Sequence, residues 1–179
     1  MTSAGPSKSV RPGPPSGALR WLLALPVGLY HAHLGGLLGH RFLLLVHTGR
    51  KTGLRRETVV EVVRYDHGSR ESVVVAGWGR RTGWLHNVEA GLAREVRTGR
   101  QHYVPMHRIL PLDEADRVFA EYEHRNRLVA PIVRAVLSRL LGWRYDGTPA
   151  ARRRAVGQLT LVAFRPSEAA QASDPAERG

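Results

Sequence analysis

The chain has 179 residues, 42% of them hydrophobic and 23% charged, which fits one globular domain around a single core and excludes a fibrous or wholly disordered protein. It contains no cysteine, so disulfides, thiolate catalysis, zinc–thiolate sites and iron–sulfur ligation are excluded. A formal net charge of +12 draws anions: nucleic acid, lipid headgroups, or a phosphorylated and carboxylated small molecule.

Residues 1–17, rich in Gly, Pro and Ser, carry too few apolar side chains to offset the entropy of ordering and are expected to form a disordered arm. The stretch WLLALPVGLYHAHLGGLLGH, residues 21–40, has no formal charge over about one bilayer span. Its proline, four glycines and three histidines disfavour spanning. It reads as a helix that packs on the domain or lies along a membrane surface, with a signal peptide as the minor alternative. Short apolar runs then alternate with turn residues: RFLLLVHT from 41, TVVEVVRYD from 58, ESVVVAG from 71, AREVRT from 93 and QHYVPMHRIL from 101. They read as five strands. The glycine-bearing links DHGS at 66 and TGR at 98 favour hairpins, hence antiparallel neighbours.

After Pro111 the period becomes helical, with Ala115, Val118, Phe119 and Tyr122 on one face and Asp113 as a capping residue. Ile132, Val133, Val136, Leu137, Leu140 and Leu141 form the stripe of a second helix with Pro131 near its start. A short basic helix fits 149–156, and QLTLVAFRP from 158 reads as a final strand. The expected class is α+β: a mostly antiparallel sheet curled toward a barrel, with one helix before it and others inserted ahead of the last strand. A single domain over 18–166 and a disordered tail over 167–179 complete the division.

Two clusters can carry chemistry. In HTGRKTGLRRET, from 47, glycines flank Arg50, Lys51 and Thr52, and a turn of this kind can converge backbone N–H groups on an anion. Lys51 is one of two lysines in the chain. A guanidinium fork and an ammonium beside a hydroxyl suit a phosphate or carboxylate. Arg56 and Thr58, two apart on the following strand, share a face and can line the same groove. A Walker loop is excluded, because strand-like residues lie on both sides. The second cluster is AGWGRRTGWLHN from 76. Its glycines let a flat ring approach the backbone, its tryptophans supply aromatic faces and its polar residues supply donors. A dinucleotide-binding fold is disfavoured, since only about two helical turns fit before Gly91. Either cluster can also be a solvated turn or ordinary core packing. Nine histidines show no metal-binding spacing, no GxSxG is present, and the arginines at 152–154 read as an exposed helix face.

Taken in order, LLLVHTGRKTG at 43, the RxT of residues 56–58, VVVAGWGRRTGWLHN at 73 and LTLVAFRP at 159 resemble the deazaflavin-dependent nitroreductase family of actinobacteria. The resemblance spans residues 41–166. It implies a split β-barrel of the FMN-binding type and the coenzyme F420, with FMN as the alternative cofactor. It assigns Arg50, Lys51, Thr52, Arg56 and Thr58 to the coenzyme's phosphate and acidic tail, and Ala76, Gly77, Trp78, Gly79, Trp84 and Asn87 to the border of its ring. Many members carry Lys-Gly-Gly and a proline where this chain has Gly77-Trp78-Gly79-Arg80-Arg81. Relatives place tyrosines over the substrate in the region of the insertion at 129–156, which makes Tyr145 and Tyr122 the catalytic candidates. No metal is implied.

The activity implied is hydride transfer from the reduced coenzyme to a small-molecule acceptor such as a nitroaromatic, quinone or enone. A cytoplasmic enzyme is expected, with peripheral membrane contact through the apolar stretch as an option and a homodimer compatible. The rival reading is a non-catalytic carrier of a flavin, deazaflavin or lipid at the membrane surface. Nucleic acid is not an expected partner, because the basic residues are spread along the chain with no reader motif.

Overall fold

The alternation of apolar runs and turns resolves into seven strands. In the computed structural model, which describes residues 39–167, they are β1 (Phe42–Thr48), β2 (Arg55–Asp66), β3 (Glu71–Ala76), β4 (Ala93–Thr98), β5 (Gln101–Tyr103), β6 (Pro105–Ile109) and β7 (Thr160–Pro166). Helix α1 (Gly83–Glu89) lies between β3 and β4, while α2 (Leu112–Arg125), α3 (Ala130–Leu141) and α4 (Pro149–Gln158) are inserted between β6 and β7. The expected arm at 1–17, the expected helix over 21–38 and the tail after residue 167 lie outside the described residues. Among the described residues no helix is long and apolar enough to cross a membrane.

The strand order is β5-β4-β1-β2-β3-β7-β6 with every neighbouring pair antiparallel. β6 returns beside β4, so the sheet curls into a nearly closed, split barrel. β2 belongs to both halves: residues 55–61 pair with β1 and residues 62–66 with β3. A bulge between Val62 and Arg64 lies at the start of the second segment. The extra residue inverts the alternation, so Val62 and Tyr65 both face the barrel interior although they are three apart. Arg125 on α2 donates a hydrogen bond to the Val63 carbonyl at that bulge.

Two cores follow from this geometry. Leu43, Leu45, Val74, Val96, Val162 and Phe164 fill the interior together with Trp84, Leu85 and Val88 of α1, which plugs one end. On the outer face, Val63, Val73, Leu161 and Ala163 pack beneath α2, α3 and α4 through Val118, Phe119, Leu137, Ala155 and Val156. β3 and β7 are therefore covered on both faces, which is why VVVA and TLVAF are continuous apolar runs without alternation.

Several local expectations are corrected. The run QHYVPMHRIL is two strands, broken at exposed Val104 before Pro105. Proline has no N–H to extend a ladder, so it starts β6. Pro111, not Asp113, occupies the N-cap of α2; Asp113 lies in the first turn and pairs with Arg153 at 2.7 Å. The arginines at 152–154 are engaged, not merely solvated. Arg152 pairs with Asp116 and Glu123, and Arg154 sits 4.4 Å over the Trp143 ring.

The outer face is also tied by charge. Arg108 of β6 donates to Glu71 of β3 at 2.8 and 3.0 Å and to Glu114 of α2 at 2.7 and 2.8 Å. The Arg108 hydrogen bonds hold the Glu114 carboxyl below its ordinary value near 4.5. A depressed folded-state pKa adds stability above the unfolded value and loses it as pH falls through the folded one. The melting temperature is therefore expected to fall as the solution is acidified below about pH 5. Glu114→Gln, followed by the same thermal melts, is expected to flatten that acid limb; an unchanged limb would show that the carboxylate contributes nothing there.

Candidate functional site

The turn between β1 and β2 is closed by its own backbone. Gly49 N–H donates to the Leu54 carbonyl at 2.8 Å, and the N–H groups of Thr52 and Gly53 both donate to the Gly49 carbonyl, at 3.1 and 2.8 Å. Gly53 takes φ +67°, a left-handed conformation that favours glycine. At Gly49 the constraint is space. A Cβ there would lie 2.7 Å from Thr52 Oγ1 and 2.9 Å from Arg56 Nε, so the bare backbone lets both side chains close over the turn. Arg50 N–H donates to Asn87 Oδ1 at 3.1 Å. With the N–H groups of Gly49, Arg50, Thr52 and Gly53 spent inside the protein, side chains supply most of the donors open to an anion at this turn.

Those side chains border a cavity of about 480 Å³ at the α1 end of the barrel. Its walls are His47, Gly49, Arg50, Lys51, Thr52, Arg56, Glu57, Thr58, Gly83, Trp84 and Asn87. Arg56 pairs across the ladder with His47, and Thr58 with Leu45, so all four share the inward face of the sheet. The groove is thus the open end of the barrel core. Arg50, Lys51 and Arg56 have no ion pair with another described residue, whereas Glu57, the one carboxylate on the wall, is bonded to Arg55 at 2.8 Å. The balance is positive, and it is lowered in dielectric by the barrel wall behind it.

Asn87 and His47 form the floor. Asn87 is 6% and His47 2% exposed. Asn87 Nδ2 lies 2.9 Å from His47 Nδ1, and His47 Nε2 lies 3.2 Å from Thr58 Oγ1. Burial, and then the Arg56 charge, lower the pKa of His47 below its ordinary value. Trp84, 9% exposed, leans on Phe164 with ring centroids 6.2 Å apart, so it presents an edge to the groove while its body belongs to the core.

Of the residues expected from the sequence, Arg50, Lys51, Thr52, Arg56, Thr58, Trp84 and Asn87 come together on this groove. Ala76, Gly77, Trp78 and Gly79 do not line it. Ala76 is fully buried at the end of β3, and Gly77 and Trp78 border a separate cavity of about 530 Å³ with Arg80, Arg81, Leu140, Leu141 and Gln158. Tyr145 is 2% exposed in the outer core and donates to Glu123 at 2.6 Å, while Tyr122 donates to Glu61 at 3.2 Å. Neither tyrosine reaches the groove. His47 was not among the expected residues. Its signal is a polar side chain at a position where Leu43 and Leu45 set an apolar, inward period.

A family model described as F420H(2)-dependent quinone reductase matches residues 30–131, more than half of the chain. The chain belongs to that family. It is an oxidoreductase that uses the deazaflavin coenzyme F420, as the order of the turn and loop motifs leads one to expect. No curated protein matches it. Among solved structures, an F420-H2 dependent reductase, FDR-A, has 16% identity over 71% of this chain and 96% of its own, with a TM-score of 0.43. A structure described as a domain-swapped dimer has 15% identity over 83% of this chain and all of its own, at 0.44. An FMN-binding, pyridoxamine 5'-phosphate oxidase-related protein from Nostoc punctiforme has 11% over 84% and 81%, at 0.37.

The donor set of this F420-dependent reductase fits its coenzyme's tail. Three cations and the hydroxyls of Thr52 and Thr58 line one groove, which is the chemistry that phosphate and carboxylate oxygens require. Thr52 Oγ1 accepts from Leu54 N–H at 3.4 Å, and Thr58 Oγ1 accepts from His47 Nε2 when the other ring nitrogen accepts from the Asn87 amide, as the Arg50 N–H bond to Asn87 Oδ1 orients it. Each therefore has its proton left to donate.

Proposed function

We propose that this F420-dependent reductase holds the coenzyme's anionic tail with Arg50, Lys51, Thr52, Arg56 and Thr58, and reduces a quinone-type acceptor. The observation that carries the reading is the groove itself, whose three cations lack carboxylate partners among the described residues and whose two hydroxyls have protons to offer. When bound in reduced form, the coenzyme supplies a hydride to an electrophilic acceptor. The chain's own residues bind, orient and desolvate. Arg50 and Arg56 grip with planar forks, Lys51 adds a point charge, and the plug formed by α1 keeps water away from the inner end. Trp84 gives the groove a rigid apolar edge, because Phe164 fixes its ring from behind. No side chain on the groove wall has to break a bond, so the protein's contribution is placement and electrostatics.

A quinone is favoured over a nitroaromatic by the family's own name, and an enone would need the same hydride. The test is to mix the protein with reduced F420 and a panel of quinones, enones and nitroaromatics, following loss of the reduced coenzyme. Turnover is expected with quinones first. Coenzyme binding without turnover on any of them would remove the acceptor assignment while leaving the tail site intact. A parallel titration with FMN is expected to bind more weakly, since FMN lacks the longer acidic tail that would engage all three cations.

A further inference from the structure

The floor of the groove contains a chain of hydrogen bonds that sets the His47 proton count, against a backbone hydrogen bond at Thr48 that favours the charged ring. Asn87 Oδ1 accepts from the Arg50 backbone N–H at 3.1 Å, which fixes the orientation of the amide. Its Nδ2 group, a donor only, then faces His47 Nδ1 at 2.9 Å, so Nδ1 has to be unprotonated. The ring proton sits on Nε2 and is donated to Thr58 Oγ1 at 3.2 Å. Thr58, having accepted there, has its hydroxyl proton free to turn toward the cavity it lines. Four elements are coupled in this way: the β1–β2 turn through Arg50, α1 through Asn87, β1 through His47 and β2 through Thr58.

We propose that His47 is a positioning residue whose neutral Nε2–H tautomer holds Thr58 as a donor into the groove and, through Asn87, holds the Arg50 backbone. The proposal rests on the reading that this groove binds the coenzyme's anionic tail. Protonation at Nδ1 would set two donors against each other across 2.9 Å. The Asn87 amide would have to turn over, and its NH2 group would then meet the Arg50 N–H. Arg56 of β2 is the charged group that acts on the ring, Arg50, Lys51 and Glu57 line the same groove, α1 contributes uncharged Asn87 and Trp84, and β4 contributes Ala93. Burial, and then the Arg56 charge, outweigh the Thr48 backbone and favour the neutral ring.

The sign of the pH dependence separates this from a bystander role. A buried histidine that did nothing but gain charge would add a positive charge to the groove and tighten binding of an anion as pH falls. A positioning His47 predicts the reverse. The experiment is a titration of the protein with oxidised F420, read by coenzyme fluorescence, between about pH 8 and pH 5.5, on wild type, His47→Gln and His47→Leu.

Wild type is expected to lose affinity several-fold toward the acid end. The glutamine side chain offers a carbonyl and an NH2 in place of the two ring nitrogens, so His47→Gln is expected to bind within about threefold of wild type at pH 8 with the acid loss abolished. His47→Leu is expected to bind roughly 3–30-fold more weakly at every pH. Nitrogen-15 NMR of the unliganded protein is expected to show the Nε2–H tautomer at His47, which keeps the test independent of how the variants fold. An Nδ1–H tautomer, tighter binding in acid, or wild-type affinity in His47→Leu would each overturn the positioning role while leaving the coenzyme site standing. Wild type that binds no F420 at all would overturn both.

Discussion

Arg56→Ala is expected to raise the dissociation constant for F420 by about 10–150-fold, the equivalent of losing about 1.5–3 kcal/mol from a hydrogen bond to a charged group. Arg56 is exposed and has no ion pair with another described residue, so its loss should leave the melting temperature within about a degree or two. The predicted loss is therefore one of binding and not of folding. Two further readouts separate a direct contact from a diffuse field. Arg100→Ala removes the same charge from the exposed tip of the β4–β5 hairpin and should change affinity by less than about twofold, because screening over that distance is nearly complete at physiological ionic strength. The Arg56 charge also lowers the pKa of His47. Without it that pKa rises, and the acid loss of affinity should begin at a higher pH. Titrations of the three proteins at two salt concentrations decide the matter; equal effects from Arg56 and Arg100 would show that only net charge matters.

The parts of this molecule that were legible in the sequence are those where one local rule acts alone. Glycine and basic residues marked the β1–β2 turn, and hairpin links at 66 and 98 implied antiparallel neighbours, as found. The helical stripe after Pro111 and the final apolar strand were equally plain. What could not be read depends on partners distant in sequence. The bulge in β2 arises because that strand serves two halves of the barrel, and no pattern within TVVEVVRYD announces it. Arg152 and Arg153 looked solvated because their acidic partners lie about thirty to forty residues away on α2, and Arg154 because its partner is the ring of Trp143.

The site divides along the same line. The turn and the RxT residues meet because a hairpin joins them, whereas Trp84 and Asn87 arrive from α1 through the plugging of the barrel. Sequence adjacency suggested that residues 76–79 would come with them. A left-handed Gly79 and the short 3-10 turn Gly79–Arg81 turn that loop the other way, toward Leu140 and Gln158. The helical insertion likewise draws Tyr145 into its own core, where its hydroxyl donates a hydrogen bond to Glu123. His47 illustrates the converse. Alone it is an ordinary buried histidine, and only the amide of Asn87, forty residues on, gives its ring a defined proton and a task.

Gly79→Ala is expected to be the most damaging single methyl in the described chain. A Cβ at this position would sit 2.3 Å from the carbonyl oxygen of Gln158, and the residue has φ +55°. The second factor alone costs about 1–2 kcal/mol for a residue other than glycine. The first cannot relax cheaply, because that oxygen belongs to backbone at the junction of α4 and β7, held by Leu159 N–H bonded to Ala155 on one side and by the β3–β7 ladder on the other. Overpacking against such a group adds about 1–3 kcal/mol. The sum, about 2–5 kcal/mol, corresponds to a drop of roughly 5–15 °C in melting temperature for a protein of this size. Gly91→Ala supplies the comparison, since its φ is +71° but nothing lies within 4 Å of the added carbon; it should lose only the conformational part, roughly 2–6 °C. If the two variants melt together, the close approach to Gln158 is not what holds this loop. If Gly79→Ala melts lower, its F420 affinity becomes informative. An affinity unchanged in the folded protein would mean that the loop at 76–79 is free to shift without disturbing α1, and that the groove depends on Gly83, Trp84 and Asn87 for its second wall.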